Sequence, residues 1–265
     1  MKKGNILFIL LFPLIFLVFI FFSYFNSVSA DIIVSDDLEL NWYFVNREKG
    51  KTPEAPKESV GFFQDLGAYY VGDTNSKVLY LTFDEGYENG NTSKILDILK
   101  LEEVPAAFFV VKPYIKDHPE IVKRMVDEGH LVCNHTSHHP SMATILDNEK
   151  FSKEFSEVED EFKALTSQDM PKFFRPPMGK YSKNSLKKTQ NLGYKTIFWS
   201  FAYKDWLVND QPDESVAIKK IVNGAHPGSI MLLHAVSDTN TKILQNVIKE
   251  LKSQGYEFKS LIDLP

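Results

Sequence analysis

The chain has 265 residues, of which 43% are hydrophobic and 25% are charged, and its formal net charge is −5. This composition is typical of a globular protein with one large domain, and the acidic balance disfavours binding to nucleic acid, whose protein partners are usually basic. Cys133 is the only cysteine, so no intramolecular disulfide can form and the core must be sufficient by itself.

The first thirty residues predict an export segment. Lys2 and Lys3 precede an almost uninterrupted apolar run over residues 6–22, and Val28-Ser29-Ala30 is typical of a signal-peptide cleavage site. The run approaches the length that spans a bilayer, so an uncleaved membrane anchor is the alternative. In both cases we expect the rest of the chain outside the cytoplasm, secreted or anchored, with membrane contact only through residues 1–30.

Residues 31–75 are interpreted as an N-terminal arm that wraps over a domain spanning residues 76–265. The arm lacks sustained periodicity and contains Pro53 and Pro56 as well as the aromatic run Trp42-Tyr43-Phe44. These aromatic side chains could line a sugar site, but packing onto the domain is the favoured interpretation because large aromatic residues mostly fill cores.

From residue 76 onwards, strand and helix patterns alternate about seven times. A strand starts at Val78 and ends at Asp84-Glu85, and further strands are predicted at 106–111, 130–133, 172–175, 196–200, 229–234 and near Phe258. Helices are predicted at 92–100, 119–128, 147–166, 183–192, 214–222 and 241–254. This alternation indicates an α/β fold whose parallel sheet, with helical crossovers, closes into a barrel.

Reactive side chains follow the predicted strands repeatedly. They are Asp84 and Glu85 after the first strand, His135 and His139 after the third, Arg175 after the fourth, Asp205 after the fifth, and His234 after the penultimate strand. The carboxyl ends of parallel strands meet at one edge, where α/β folds place their active sites. For Asp84-Glu85-Gly86 taken alone, an ordinary polar turn is an equally good explanation.

The spacing of His135 and His139 is compatible with a metal site. On a helical turn, residues four apart share one side, and imidazoles suit zinc and other divalent first-row metals. An exposed, inert His-rich loop is the alternative. His138 lies off this spacing and is expected to face solvent or to support the ligands, whereas Cys133 is expected to be a buried, inert thiol.

Arg175 and His234 have both a chemical and a structural interpretation. Arg175 precedes two prolines, so its guanidinium sits on a stiff backbone and could fix a carboxylate through a bidentate hydrogen bond, or form a structural salt bridge. His234 follows an apolar strand and, if Asp205 lies nearby, could act as a general acid. A lone histidine at a strand end is more often inert.

Five segments in this order resemble the five motifs of the polysaccharide deacetylase family of carbohydrate esterases. They are Thr82-Phe83-Asp84-Glu85-Gly86, His135-Thr-Ser-His-His139, Arg175-Pro-Pro-Met-Gly179, Asp205-Trp206 and Leu232-Leu-His234. The match covers about residues 76–262. The resemblance implies a distorted (β/α) barrel of about seven parallel strands and metal-assisted hydrolysis of an N-acetyl group.

The resemblance also implies a role for each matched residue. Asp84 would be the general base oriented by Arg175, and His234 would protonate the leaving amine while Asp205 tunes it. His135, His139 and Glu85 would bind a divalent metal, zinc by expectation. The family usually has Asp at the position of Glu85, and the extra methylene moves the carboxylate by about an ångström. The backbone N–H of Met178 would hold the oxyanion, and Trp206 and Leu232 would bound the acetyl pocket.

Residues 87–90, Tyr-Glu-Asn-Gly, together with the preceding arm, further resemble the branch that deacetylates N-acetylmuramic acid in peptidoglycan to form the muramic δ-lactam of spore cortex. That branch implies action in the cell wall on the forespore side, after an amidase has removed the stem peptide. Alternatives are deacetylation of N-acetylglucosamine in peptidoglycan, of chitin or of xylan, and a degenerate barrel that only binds glycan.

Overall fold

The computed structural model describes residues 35–265, and residues 36–265 form one compact unit. The predicted signal or anchor segment, residues 1–30, lies outside the described part. Within the described part no helix is long and apolar enough to cross a membrane.

The centre of the fold is a curled sheet whose strands all run parallel. Across the sheet the strands lie in the order β2 (Ala68–Tyr69), β8 (Lys195–Ile197), β6 (Phe173–Phe174), β5 (Leu131–Asn134), β4 (Ala106–Val110), β3 (Val78–Glu85) and β9 (Ser229–His234). A short strand, β10 (Glu257–Phe258), pairs with the start of β3. The predicted parallel α/β architecture is confirmed.

The sheet closes on itself next to β9. The N–H of Leu232 donates to the carbonyl of Phe201 at 2.9 Å, and the N–H of Ser200 donates to the carbonyl of Ile230 at 3.0 Å. The segment that follows β8 therefore pairs with β9. This closure brings the ends of β3, β5, β6 and β9 around one rim, as a barrel requires.

Seven helices connect the strands within the described residues. They are α1 (Thr92–Leu101), α2 (Lys112–Asp117), α3 (Pro119–Asp127), α4 (Asn148–Thr166), α5 (Lys183–Asn191), α6 (Glu214–Gly224) and α7 (Asp238–Ser253). Side-chain caps begin several of them; for example, Asp147 accepts the N–H of Lys150, and Ser237 accepts the N–H of Asn240. The larger differences from the sequence-based expectation are that α2 was not predicted, that α6 ends two residues later and that α7 starts three residues earlier.

Strand β3 separates two cores by the alternation of its side chains. Leu79, Leu81 and Phe83 pack with helix residues in the larger core, whereas Val78 and Tyr80 pack with strand residues inside the barrel. Because successive side chains point to opposite faces of a strand, the last two residues of β3 also lie on different faces. Asp84 continues the interior series and Glu85 continues the helix-facing one.

The N-terminal arm is joined to the barrel at two places. Strand β1 (Leu40–Asn41) pairs antiparallel with β7 (Lys180–Tyr181), directly after the Arg175 loop. The sheet strand β2 also belongs to residues 31–75, so the barrel takes its first strand from the segment interpreted as an arm. Trp42 is buried and stacks on Phe63 at 5.0 Å between ring centroids, which confirms the packing interpretation for this aromatic residue.

Candidate active site

Asp84 and His234 end two neighbouring strands at the same rim of the barrel. They are register partners in the parallel pairing of β3 with β9. His135 and Arg175 follow the ends of β5 and β6 on the same side. The closed parallel sheet thus collects groups that are 150 residues apart in the chain.

Arg175 fixes Asp84 with one hydrogen bond. Its Nη1 donates to Asp84 Oδ1 at 2.8 Å, while its Nε donates to the carbonyl of Ile197 at 3.0 Å. Its side chain is fully buried, and the guanidinium carbon lies 4.2 Å from the ring centroid of Phe109. The bidentate contact considered from the sequence is not formed, because the other donors of the guanidinium face backbone carbonyls.

These surroundings keep Asp84 ionised. Burial acts to raise its pKa, but the positive charge of Arg175, the imidazoles of His135 and His234 and the hydrogen bond from Arg175 outweigh burial, so the pKa of Asp84 lies below its usual value. An ionised carboxylate at a strand end can accept a proton from water. Asp84 therefore has the charge state that a general base needs.

His234 is held in one orientation by Asp205. Its Nδ1 donates to Asp205 Oδ1 at 2.7 Å, and its backbone N–H donates to Asp205 Oδ2 at 2.9 Å. Burial acts to lower the pKa of His234, but the hydrogen bond and charge of Asp205, together with Asp84, raise it above the usual histidine value. Nδ1 is occupied, so Nε2 is the nitrogen left to exchange a proton at the rim of the barrel.

His135 and His139 lie side by side, with their ring centroids 4.9 Å apart. His135 Nδ1 lies 2.8 Å from the carbonyl oxygen of Arg175, which can only accept, so Nδ1 carries the hydrogen. His135 Nε2 therefore has a free lone pair, and this nitrogen lies 3.7 Å from Asp84 Oδ2. Burial lowers the pKa of His135 to about 4 and also lowers the pKa of His139. Both rings are neutral near pH 7, the form that binds metals.

The loop that carries the two histidines is not the helical turn considered from their spacing. Thr136 and His139 adopt left-handed backbone conformations, with φ of 74° and 58°. The Thr136 hydroxyl accepts the N–H of His139 at 2.9 Å, and Glu154 accepts the N–H groups of Ser137 and His138. The rings therefore meet through a tight, hydrogen-bonded loop rather than through helical periodicity.

Glu85 does not join the two imidazoles. Its side chain is fully buried on the helix-facing side of β3, and neither carboxylate oxygen has a hydrogen-bond partner. Burial, then the negative charges of Glu88 and Asp84, raise the pKa of Glu85 well above its usual value. Ligands of one metal ion must face a common point, and Glu85 lies on the face of β3 opposite to Asp84.

The structure therefore brings together two of the three predicted metal ligands, His135 and His139. The two imidazoles have the neutral state and, for His135, the second hydrogen bond that typically orients a metal-binding histidine. Over residues 35–265, however, no three His, Cys, Asp or Glu side chains lie close enough together to hold an ion. The three-residue set with Glu85 does not fit this arrangement, because strand alternation turns Glu85 away.

The remaining predicted residues lie at or near the rim. Trp206 is half exposed, with its ring centroid 5.7 Å from that of His234, and Leu232 is buried in β9. Met178 has a left-handed backbone, with φ of 59°, and its side chain is exposed. As expected, His138 is exposed and contacts Glu154, and Cys133 is buried, which raises the pKa of its thiol.

Two residues at this site were not singled out from the sequence. Phe109 lies under Arg175, and Asn240 contacts the carboxylate of Asp205. Trp42, for which packing was the favoured interpretation, donates from its indole to the carbonyl of Trp199 at 2.9 Å. Phe109 was hidden in an apolar strand and Asn240 in the first turn of a helix. No local pattern marks either residue, since both act on groups far away in the chain.

Together these groups can catalyse the hydrolysis of an amide or an ester. Such a reaction needs a base for water, a donor for the developing oxyanion and an acid for the leaving group. Asp84 and His234 start in opposite protonation states on adjacent strands. This combination at one rim is the chemical signature of the site.

Comparison with known proteins agrees with this chemistry. Residues 71–197 match the family described as polysaccharide deacetylase. The peptidoglycan-N-acetylmuramic acid deacetylase PdaA of Bacillus subtilis (strain 168) is 42% identical over 225 residues, 85% of each chain. A chitooligosaccharide deacetylase of Rhizobium leguminosarum bv. trifolii is 32% identical over 71% of this chain and 92% of its own. The solved structure of B. subtilis PdaA, titled a family 4 carbohydrate esterase, has a TM-score of 0.83 at 41% identity, covering 86% of this chain and 97% of that one.

Proposed function

The chain belongs to the polysaccharide deacetylase family and is a deacetylase, a hydrolase, and from this premise we propose that it removes the acetyl group from N-acetylmuramic acid residues of peptidoglycan. The pairing of Asp84 with His234 on adjacent strands carries the chemical part of this proposal. The substrate part is supported by the 42% identity to a protein named for that activity.

The reaction follows from the charge states of the site. Asp84 takes a proton from a water molecule as the water oxygen attacks the carbonyl carbon of the acetamide. The tetrahedral oxyanion is held by the backbone N–H of Met178, by resemblance to the family. His234 then gives its Nε2 proton to the sugar nitrogen, the C–N bond breaks, and acetate and a free amine leave.

Each partner of the two catalytic groups supports one step. Arg175 holds the Asp84 carboxylate by its 2.8 Å hydrogen bond and so fixes the orientation of the base. Asp205 bonds to His234 Nδ1, which stabilises the protonated ring before proton transfer and fixes the position of Nε2. A positioned acid and base each contribute roughly 10²- to 10⁴-fold in such reactions.

A divalent metal, zinc by expectation, forms part of the proposal. His135 and His139 are the residues that would bind it, and a bound metal ion would polarise the carbonyl and lower the pKa of water. Glu85 lies on the other face of β3 and does not supply a third ligand in this arrangement. The steps above therefore use only the chain's own residues.

We further propose that the product leads to muramic δ-lactam in spore cortex. Ring closure joins the new amine to the lactyl carboxyl group with loss of water, which requires that carboxyl to be free. An N-acetylmuramoyl-L-alanine amidase would therefore act first. This role places the protein outside the cytoplasm, secreted or anchored through residues 1–30, on the forespore side of the cell wall.

Acetate release from defined glycans tests the proposal. The full chain and its Asp84→Asn variant are incubated with peptidoglycan strands with and without stem peptides, with chitooligosaccharide and with acetylated xylan. Each reaction is run with a chelator and with added zinc. We expect acetate from the peptide-free muramic substrate with the unsubstituted chain only, and a δ-lactam mass in the glycan product.

Two outcomes would redirect this proposal. Acetate from chitooligosaccharide or N-acetylglucosamine but not from muramic residues would keep the chemistry and change the sugar. No acetate from any of these glycans, with or without metal, together with retained glycan binding, would favour the non-catalytic barrel.

A further inference from the structure

Asn240 lies in the first turn of α7 and points its buried side chain at the His234–Asp205 pair. Its Nδ2 donates to Asp205 Oδ2 at 2.6 Å and to the carbonyl of His234 at 3.2 Å. Only 1% of Asn240 is exposed. A buried amide that contacts both members of a catalytic pair is in a position to set their geometry.

The hydrogen bonds of Asp205 show what this amide contributes. Oδ1 accepts the Nδ1–H of His234, while Oδ2 accepts the backbone N–H of His234 and the amide of Asn240. Both oxygens are thereby fixed, and among the described residues Asn240 supplies the one hydrogen bond to this carboxylate that does not come from His234. Buried carboxylates keep their charge and orientation through such donors.

The orientation of the Asn240 amide is itself fixed by Tyr203. The Tyr203 hydroxyl donates to Asn240 Oδ1, so the NH₂ group of the amide must face Asp205. If the amide were reversed, its oxygen would lie against the carboxylate and would repel it. The contacts form one chain, from Tyr203 through Asn240 and Asp205 to His234.

The side chain of Asn240 has no role in starting its own helix. The cap of α7 is Ser237, whose hydroxyl accepts the backbone N–H of Asn240 at 3.1 Å. Replacement of the Asn240 side chain leaves this backbone bond in place. The contacts with Asp205 and His234 therefore stand apart from helix capping.

We propose that Asn240 is a positioning residue for the general acid, which locks the Asp205 carboxylate so that it holds His234 with Nδ1–H bonded and Nε2 left to exchange a proton at the rim of the barrel. The inference rests on the proposed function in assigning the acid role to His234. The geometry that it explains, a carboxylate held from two sides, is independent of the substrate.

Steady-state kinetics of Asn240→Leu test the effect on catalysis. Leucine has a similar shape but no donor, so we expect kcat to fall about 10- to 100-fold with little change in KM, since small displacements of a catalytic group cost this much. Asn240→Asp should lose more, because a second carboxylate would face Asp205. Asn91→Leu is the control. Asn91 is buried and its side chain donates at 2.7 Å to Asp238, which lies in the same helical turn as Asn240, but Asn91 makes no hydrogen bond to Asp205. The kcat of this control variant should stay within about threefold of that of the unsubstituted chain.

A double substitution separates positioning from general damage. In an Asp205→Asn background, Asn240→Leu should cost no further activity, because its effect passes through Asp205. A full additional loss in that background would overturn the inference. If Asn240→Leu does not fold, Tyr203→Phe removes only the hydroxyl that orients the amide and should lower kcat by a smaller factor in the same direction.

Nitrogen NMR of histidine-labelled protein gives a readout that needs no substrate. The His234 signals are assigned with a His234→Gln variant. In the unsubstituted chain we expect neutral His234 to carry its hydrogen on Nδ1, and in Asn240→Leu we expect a shift towards the Nε2–H form. An unchanged tautomer in a folded Asn240→Leu protein would refute the inference, whether or not any glycan is a substrate. A shifted tautomer in a protein that deacetylates no glycan would refute only the proposed function.

Discussion

The two faces of strand β3 place the same chemical group in opposite surroundings. On the barrel side, Asp84 meets the guanidinium of Arg175 and the imidazole of His135, and its pKa is lowered. On the helix side, Glu85 meets Glu88 and has no hydrogen-bond partner, and its pKa is raised. One step along the strand thus moves the pKa of a carboxyl group from below its usual value to above it.

The histidine loop repeats this contrast. Both histidines are exposed to solvent, but the ring of His139 packs beside His135, where desolvation lowers its pKa, whereas His138 turns to Glu154. In both pairs the residue type is the same or similar and only the direction of the side chain differs. The chemistry of a motif is therefore decided by which of its side chains turn towards the other site residues.

The largest effect is expected from Asp84→Asn. Asparagine preserves the shape of the side chain but cannot accept the proton from water, so kcat for acetate release should fall by roughly 10² to 10⁴. Parallel measurements of thermal unfolding and of glycan binding show whether the variant is folded. Activity within about tenfold of the unsubstituted chain would show that the base is another group, and the contrast between the two faces of β3 would lose its functional meaning.

The pH dependence of kcat/KM should be bell-shaped with a wide plateau. Asp84 must be ionised and His234 protonated, and their pKa values are shifted apart, below and above the usual values of about 3.9 and 6.5. Activity should therefore fall on the acid side as Asp84 takes up a proton and on the basic side as His234 loses one. A profile that stays flat through the alkaline range would remove His234 from the role of acid.

The sequence predicted the fold and the grouping of the site because both depend on periodic patterns. Alternating strand and helix signals locate the parallel sheet, and the carboxyl ends of its strands locate Asp84, Arg175 and His234 at one rim. Residue identities at strand ends are visible in a sequence. The position of the shared edge follows from topology alone.

The direction of individual side chains could not be predicted in the same way. Glu85 follows Asp84 directly, and only the observed end of β3 shows that its carboxylate faces the helices. Partners that act across the fold, such as Asn240 on Asp205 or Trp42 on Trp199, lie too far away in the chain for a local pattern to indicate them. The resemblance to the family implied that Glu85 is a metal ligand because of its position in the motif. Strand alternation instead turns its side chain away from His135 and His139.

Substitution Glu85→Gln tests the helix-facing side. Glutamine has the shape of the neutral acid, so we expect deacetylation within about threefold of the unsubstituted chain. Because folding raises the pKa of Glu85, the folded chain holds this proton to a higher pH than the unfolded chain, which loses it above about pH 4.3, so stability falls as pH rises, by up to about 1.4 kcal/mol per pH unit. Glu85→Gln has no such proton to lose, so its free energy of unfolding in urea should match that of the unsubstituted chain at about pH 4. The difference in favour of the variant should grow as the pH rises.

The metal assignment makes the opposite prediction for the same variant. If Glu85 turns towards His135 and His139 to bind an ion, Glu85→Gln should abolish activity as completely as Asp84→Asn, and added zinc should not restore it. Zinc titrations of both variants, followed by calorimetry, distinguish the two cases. Equal losses would overturn the contrast drawn between the two faces of β3.

The smallest effect is expected from His138→Ala, compared with His139→Ala. His138 is exposed, and an exposed ion pair such as its contact with Glu154 contributes about 1 kcal/mol or less to the free energy of unfolding. Its backbone N–H still donates to Glu154 after the substitution, so the loop should keep its shape. Acetate release should therefore stay within about twofold for His138→Ala and fall at least tenfold for His139→Ala, whose ring lies beside His135. Equal losses in the two variants would mean that the loop acts through its backbone conformation rather than through the imidazole that lies beside His135.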